Sequence, residues 1–405
     1  MRQAPPVAPQ LVFVPLIGFR PAGTRVLRER SETTANGTRM IVLAAAAAPD
    51  RTDVVVEWER TGDPAVCPPD SKLLTHTNMA PLENGLTAAI VVGASRANAT
   101  TMRRRRIHMS LRYIGAIDVI TFPQIGTAAD DAELRVNEGP QEWRVLLDLA
   151  PGGVEATALE TKLTRDGVAL RVTAVARHES ELIVEVEVEA PDQIRAVGAP
   201  IPTPARFSST TERDHSERLI EHRRVFGEQS AQIALEYEDG GRHEEISRLF
   251  SQEPQQAAPG APYVSRFVLA FDAPDTATRS ATIVVPFIDL NDREPSASAD
   301  LRDVPVDVKL AEHQLRVVSA EPVGTDQREV VVKVAPSTSG PRFTQPARMH
   351  GADDKNFAWN PYPVPGDTVS LTTTVGDPPI VTFTGAVLRV DGPLHLEIPL
   401  PKVDL

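Results

Sequence analysis

The fold class is decided by residues 167–188, GVALRVTAVARHESELIVEVEV. Apolar side chains alternate with polar or charged ones at Leu170 and Val172 before a short polar break, and at Val186 and Val188 after it. A period of two places alternate side chains on one face, as in a half-buried β-strand and unlike an α-helix. The stretch therefore predicts two strands joined by a turn.

Two further stretches repeat this pattern: residues 37–58, GTRMIVLAAAAAPDRTDVVVEW, and residues 313–334, HQLRVVSAEPVGTDQREVVVKV. Each contains a strand, a polar break and a second strand rich in β-branched residues. In the last copy, Val332 is predicted to face inward and Lys333 outward. Each pair is followed by an apolar strand that ends at a proline, and three such units predict an all-β chain of three tandem immunoglobulin-like β-sandwich domains.

The predicted domains are 1–139 (an N-terminal lead and the first sandwich), 140–302 (the second sandwich) and 303–405 (the third sandwich). The middle domain has an insertion at about residues 199–262. Within it, residues 213–226 predict a short amphipathic helix, and residues 233–246, IALEYEDGGRHEEI, predict a β-hairpin. In the first domain, Val26 and Leu27 predict an edge strand.

The composition agrees with many short strands and limits the classes of partner. The chain of 405 residues has 36 prolines and 24 glycines, which indicate frequent turns. A net charge of −13 argues against a nucleic acid or an anionic membrane surface as the main partner. Cys67 is the only cysteine, so an internal disulfide or a cysteine-based metal cluster is excluded.

Three histidines in the insertion are the first candidate surface. On a helix, His215 and His222 would share one face with Glu217 and Glu221 nearby, a set that zinc could accept. A solvated, charged helix surface is the favoured interpretation. His243 lacks the second histidine of an HExxH metal helix. The sequence therefore predicts no metal and no cofactor, and His215, His222 and His243 are kept as a possible interaction surface.

The second candidate surface is the only run of basic residues, Arg103, Arg104, Arg105 and Arg106, in TMRRRRIH. The run could bind an acidic polymer, but no aromatic residues that would stack on bases are interleaved with it. It enters a predicted strand, where charge prevents one sheet edge from pairing with another, and this interpretation is favoured.

Motifs of catalysis are not found in the sequence. It contains no GxSxG, no GxxxxGK[ST] and no GxGxxG. Cys67 lies in DPAVCPPD, without a positive neighbour that would lower its pKa. No catalytic residue is predicted.

Five segments carry a resemblance to a known family. They are IGFRPAG (17–23), VLRERSETTANGTRMIV (26–42), TDVVVEW (52–58) with the loop that contains Cys67, QEWRVLLDLAP (141–151) and LEYEDGG (235–241). They resemble the extracytoplasmic β-domain region of bacterial membrane-anchored proteins that are anti-sigma factors or carry domains of unknown function attached to them.

The resemblance implies an extracytoplasmic location, at the cell surface or anchored to the membrane. Members of the family have a cytoplasmic helical segment that binds the sigma factor, sometimes with zinc ligands, and one membrane helix before the β-domains. Residues 1–405 contain neither, so this chain is not expected to hold a sigma factor itself, and contact with a membrane would need a segment outside it.

The expected function is therefore non-enzymatic: a sensing or protein-interaction ectodomain of a membrane-anchored regulator, with an unknown protein or cell-surface ligand as its partner. The alternative is a structural or adhesive cell-surface module. An enzyme with its site in the insertion ranks third.

Overall fold

The computed structural model describes most of the chain. The described residues are 10–35, 37–61, 86–110, 113–125, 131–198, 232–245, 247–251, 255–275, 278–322, 327–335, 340–351, 368–374 and 378–401. The helix predicted at residues 213–226, His215, His222 and Cys67 lie outside them.

The all-β prediction is confirmed for the described residues, which form 28 strands and one 3₁₀ turn, Leu301–Asp303, and no α-helix. All the pairings whose register is resolved are antiparallel. In this part of the chain no helix is long and apolar enough to cross a membrane. The finer arrangement, immunoglobulin-like sandwiches in tandem, stays a prediction.

The chain divides into two compact units, residues 1–158 with 174–178, and residues 159–173 with 179–405. The domain boundaries predicted from the sequence are at 139/140 and 302/303, and the second of these lies inside the second unit. The three-domain division stays a prediction.

The first unit contains twelve complete strands. They are β1 Leu11–Val14, β2 Gly18–Pro21, β3 Arg25–Leu27, β4 Ser31–Ala35, β5 Thr38–Ala47, β6 Arg51–Thr61, β7 Leu86–Val92, β8 Ser95–Asn98, β9 Thr101–Ser110, β10 Tyr113–Pro123, β11 Asp131–Glu138 and β12 Gln141–Pro151. The strand β13, Val154–Arg165, begins in this unit and ends in the second, and β14, Val168–His178, is likewise divided.

Most of the first unit is one curled sheet in the order β8-β7-β11-β12-β3-β5-β6-β10-β9, with β4 paired to β5. One face encloses a core in which Trp58 of β6 and Trp143 of β12 meet edge to face, with ring centroids 5.3 Å apart. Trp58 Nε1 donates to Asp118 Oδ2 at 3.0 Å, and Trp143 Nε1 donates to the Thr38 carbonyl at 3.0 Å. Both indole N–H groups are therefore satisfied inside the core, as buried tryptophans require.

The prediction of an edge strand at Val26 and Leu27 is wrong. The strand β3 pairs on both sides, with Leu27 opposite Leu149 of β12 and Val26 opposite Ala46 of β5. Three residues with two apolar side chains carry no signal that separates an edge from an interior position, because pairing on the second side is a long-range contact.

The other face of this sheet is covered by the β1–β2 hairpin. Val14 and Ile17 pack with Leu43 of β5, Val55 of β6 and Ile117 of β10, and all five side chains are buried. On the far side of the hairpin, β1 pairs with the beginning of β13. Both faces of β5 and β6 are therefore buried, which explains their long apolar runs.

The second unit contains the remaining strands. They are β15 Glu181–Ala190, β16 Gln193–Val197, β17 Ala234–Glu236, β18 Arg242–Glu244, β19 Ser247–Ser251, β20 Gln255–Gln256, β21 Tyr263–Asp272, β22 Ser280–Asp300, β23 Val306–Leu310, β24 His313–Pro322, β25 Gln327–Val334, β26 Arg342–His350, β27 Thr368–Thr374 and β28 Ile380–Pro399. Neighbouring strands follow the orders β19-β21-β15-β14, β18-β17-β22-β28-β26 and β23-β24-β25-β27.

The two longest strands, β22 and β28, pair along nearly their whole length, from Ser280 opposite Pro399 to Asp300 opposite Ile380. The ladder has two irregularities, after Val285 and after Asp292. One end of the pair contributes Ala299, Val381 and Phe383 to the core beneath the sheet β23-β24-β25-β27.

The three repeated stretches are confirmed as pairs of neighbouring strands: β5 with β6, β14 with β15, and β24 with β25. The predicted hairpin is confirmed as β17 and β18, with Leu235 opposite His243. Val332 is fully buried and Lys333 is exposed, as predicted.

Candidate functional site

The four arginines of the basic run lie on β9, the last strand of the curled sheet. On one side β9 pairs with β10, where Arg103 is opposite Val119 and Arg104 is opposite Asp118. Among the described residues, no strand pairs with the other side of β9. Its backbone N–H and C=O groups on that side are the kind that another strand can use.

A β-bulge interrupts β9 at the basic run. Arg104 is opposite Asp118 and Arg106 is opposite Ile117, so Arg105 is the extra residue. A bulge increases the local twist and bends the strand. The bulge divides β9 into a first part, residues 101–104, and a second part, residues 106–110.

The first part of β9 is fixed to the unit by Met102. Its side chain is 1% exposed and belongs to the same core as Trp58 and Trp143. Ile120, its register partner on β10, is fully buried in that core. The backbone of the edge is therefore attached to a rigid sheet.

Length distinguishes β9 from the other strands that end a described sheet. It has ten residues, whereas the others have two to nine. The one with nine, β26, contains Pro346, which cannot donate to a ladder. The longest strand that ends a described sheet therefore coincides with the only basic run of an acidic chain.

His243 is the one predicted histidine among the described residues, and it lies in the second unit, on β18. Its Nδ1 is 3.0 Å from the carbonyl oxygen of Asp272, the last residue of β21. A carbonyl only accepts, so Nδ1 carries the hydrogen and donates it. The ring also meets Tyr237 edge to face, with centroids 5.0 Å apart. These contacts join the β17–β18 hairpin to β21 and give His243 a structural role.

A metal centre finds no support in the part of the chain that the structure describes, where no three His, Cys, Asp or Glu side chains come together as metal ligands would. His243 is in the second unit and Arg103–Arg106 are in the first, so the two candidate surfaces belong to different units.

A buried ionic cluster in the first unit was not predicted from the sequence. Arg20 Nη2 lies 2.5 Å from Asp53 Oδ2, and the side chains are 10% and 4% exposed. Arg51 Nε donates to Asp53 Oδ2 at 2.9 Å, and Thr121 Oγ1 donates to Asp53 Oδ1 at 2.7 Å. Burial raises the pKa of Asp53, but the charges of Arg20 and Arg51 and the Thr121 hydrogen bond outweigh it, so the pKa is lowered. Burial lowers the pKa of Arg20, which Asp53 partly opposes.

A signal for this cluster was present in TDVVVEW. Asp53 and Val55 are two residues apart on β6, so their side chains lie on the same face of the strand. Val55 is buried, and Asp53 is therefore expected to be buried too. A carboxylate at such a position needs a cationic partner. The partner, Arg20, lies in a distant segment that periodicity does not identify.

A second buried ion pair lies in the second unit. Arg389 of β28 binds Asp289 of β22 through two hydrogen bonds, Nε to Oδ1 at 2.7 Å and Nη2 to Oδ2 at 2.9 Å. The guanidinium also stacks on Phe287, 3.8 Å from the ring centroid. Arg195 of β16 interacts with the charges of both residues. Burial lowers the pKa of Arg195, Asp289 opposes this shift and Arg389 adds to it. This pair fixes the register of the two longest strands, since Arg389 and Asp289 are opposite one another.

Both buried pairs join strands to strands, and each carboxylate is held by its arginines. They are best explained as structural. The edge of β9, where no further strand pairs among the described residues, is left as the candidate for an interaction site.

The comparisons with known proteins leave the chain without a family. No protein-family model matches it, and no curated protein matches it. Among solved structures, "The crystal structure of the conserved domain protein from Bacillus anthracis" is similar at 9% sequence identity, over 75% of this chain and 88% of that one, with a TM-score of 0.35. A likeness at this level carries no argument about fold or function.

Proposed function

We propose that the chain is a non-enzymatic, extracytoplasmic protein of immunoglobulin-like β-sandwiches that acts as the sensing or protein-interaction ectodomain of a membrane-anchored regulator. The observation that supports an interaction role is the free edge of β9, which combines ten residues of strand with four consecutive arginines. Strand edges recognise proteins through backbone hydrogen bonds, and charge on the edge adds selectivity. The resemblance in residues 17–58, 141–151 and 235–241 supports the regulator.

A genetic test separates this proposal from its alternative. The coding region is deleted in the bacterium of origin and complemented with the wild-type chain, with all four residues Arg103–Arg106 changed to Ser, or with Arg316→Ser as the control. Arg316 is an exposed arginine on β24 of the second unit. Deletion is expected to change a set of transcripts under one sigma factor. The wild type and the control should restore them, and the four-serine variant should not.

The other outcomes are informative as well. Unchanged transcription after deletion would overturn the proposed role in a membrane-anchored regulator. A loss of cell attachment in the same strain would favour the adhesive module. Location is tested by adding a protease to intact cells. Cleavage of the chain is expected, and complete protection in intact but not in lysed cells would overturn the extracytoplasmic assignment.

A further inference from the structure

The edge of β9 has a backbone that could accept a further strand. In a sheet, each strand donates and accepts hydrogen bonds on both sides, and a strand with one neighbour leaves half of these groups to water or to another chain. The strand β9 has β10 on one side only among the described residues. Its second part, residues 106–110, follows the bulge and pairs regularly from Arg106 opposite Ile117 to Ser110 opposite Tyr113.

Charge restricts which strand could be added there. A second copy of β9 would bring one run of four arginines against another, and like charges that meet across a strand pair are destabilising. The bulge at Arg105 twists the edge and further disfavours flat, indiscriminate pairing. An extended segment with acidic side chains is attracted to this edge instead. Its carboxylates neutralise the run of arginines that repels other partners.

We propose that β9 binds an extended acidic peptide segment of a partner protein, which adds as a further strand beside it. This inference rests on the proposed function, because it names the class of partner that the interaction ectodomain would take. Backbone hydrogen bonds along residues 106–110 would supply affinity that does not depend on sequence. The arginines at 103–106 would select carboxylates, because guanidinium and carboxylate groups match in charge and in geometry.

The test uses the full chain and three labelled peptides of equal length. One alternates Glu and Val, one alternates Lys and Val, and one, the Glu–Pro peptide, repeats Glu-Glu-Pro-Pro, which keeps the number of carboxylates but removes N–H groups on both sides of a strand. Fluorescence anisotropy is expected to show saturable binding of the Glu–Val peptide and none of the Lys–Val peptide. The Glu–Pro peptide should bind about tenfold more weakly or worse.

Variants of the chain locate the site. Arg103→Glu with Arg106→Glu, two positions whose register partners Val119 and Ile117 carry no charge, should weaken the Glu–Val peptide by about tenfold or more. The matched control is Arg135→Glu with Arg144→Glu, on the interior strands β11 and β12 of the same sheet, and it should leave the affinity unchanged. Hydrogen exchange of the wild-type chain should show slower exchange of the amides of residues 106–110 when the Glu–Val peptide is bound.

Each other outcome contradicts the inference. Absence of binding overturns it, and the transcript experiment then decides separately whether the proposed function stands. Equal affinity for the Glu–Val and Glu–Pro peptides means attraction by charge without strand addition. Binding that the control variant loses equally places the peptide elsewhere. Self-association of the wild-type chain that the Arg103 and Arg106 changes abolish would make a second copy the occupant. Should the variant fail to fold, the peptide series and the exchange data on the wild-type chain still decide.

Discussion

Arg20 and Asp53 form a buried ion pair that fastens the β1–β2 hairpin to the curled sheet of the first unit. The two side chains are 10% and 4% exposed. Because its charges are removed from water, the pair tolerates the loss of one partner much less than an exposed pair does.

The first prediction is that Asp53→Asn destabilises the first unit by about 3–5 kcal/mol, because Arg20 is left buried beside a neutral amide. Replacing both partners, as Asp53→Leu with Arg20→Met, should cost less than the single change. Glu142→Gln, the same acid-to-amide change in an exposed pair with Arg144, should leave the stability unchanged. Denaturation with urea, followed by far-UV circular dichroism, measures all three variants.

The second prediction concerns the stability of the first unit at acidic pH. The ordinary pKa of Asp53 is 3.8 and its folded value is lower, so the folded state favours the charged form. The resulting stabilisation is present above pH 3.8 and is lost as the pH falls through 3.8 toward the folded pKa. The urea midpoint of the wild-type chain should fall across this range, and that of Asp53→Asn should fall less. Parallel curves for the two proteins would refute the assignment.

The third prediction tests the facing of β25. Val332→Asp should destabilise the second unit by several kcal/mol, roughly the cost of burying an unpaired carboxylate. Lys333→Asp, at the next position and exposed, should change the stability by about 0.5 kcal/mol or less. Differential scanning calorimetry reports both, and equal melting temperatures for the two variants would mean that the face is assigned wrongly.

The fourth prediction concerns Gly392, where β28 passes Pro286 of β22. A Cβ at Gly392 would overlap the carbonyl oxygen of Pro286 and would lie 2.5 Å from that of Val285. Both atoms are backbone, so Gly392→Ala should cost about 2–3 kcal/mol. The control is Gly241→Ala, whose Cβ would come within 3.0 Å of the movable Asp239 carboxylate. It should cost far less in the same urea titration, and an equal cost for both would contradict the close approach.

The fifth prediction tests the three-domain division with fragments. If residues 303–405 are a domain, they fold alone. The structure predicts that they do not, because β28 loses its partner β22 and exposes a long free edge. A fragment of residues 279–405, which keeps β22, should show more β-structure and less aggregation. Circular dichroism and sedimentation velocity measure both, and a folded, monomeric 303–405 would support three domains.

The sequence predicted those parts of the fold in which a strand pairs with the next strand along the chain. In residues 37–58, 167–188 and 313–334 two strands rich in apolar residues are separated by a short polar break, so their pairing needs no distant information. The position of the basic run on a strand at the sheet edge was predicted from charge and not from periodicity, because the charges of Arg103–Arg106 prevent one sheet edge from pairing with another.

What could not be predicted depends on contacts between distant segments. Residues 291–300, NDREPSASAD, have the composition of a loop, yet they continue β22 because β28 pairs with them. Pro295 is accommodated because it falls in the register irregularity between Asp292 and Ser296, where it has no ladder bond to donate. A partner strand overrides weak β-propensity. The Arg20–Asp53 pair was missed for the same reason.

The contact between Trp58 and Trp143 gives the first unit its own optical reporter. Two of the three tryptophans of the chain are buried side by side there, one of them bonded to the carboxylate of Asp118. The described residues of the second unit include Tyr237 and Tyr263 but no tryptophan. With Trp359 changed to Phe, tryptophan emission would come from the first unit alone. A fluorescence melt of that variant would then follow one half of the molecule while the backbone signal follows both.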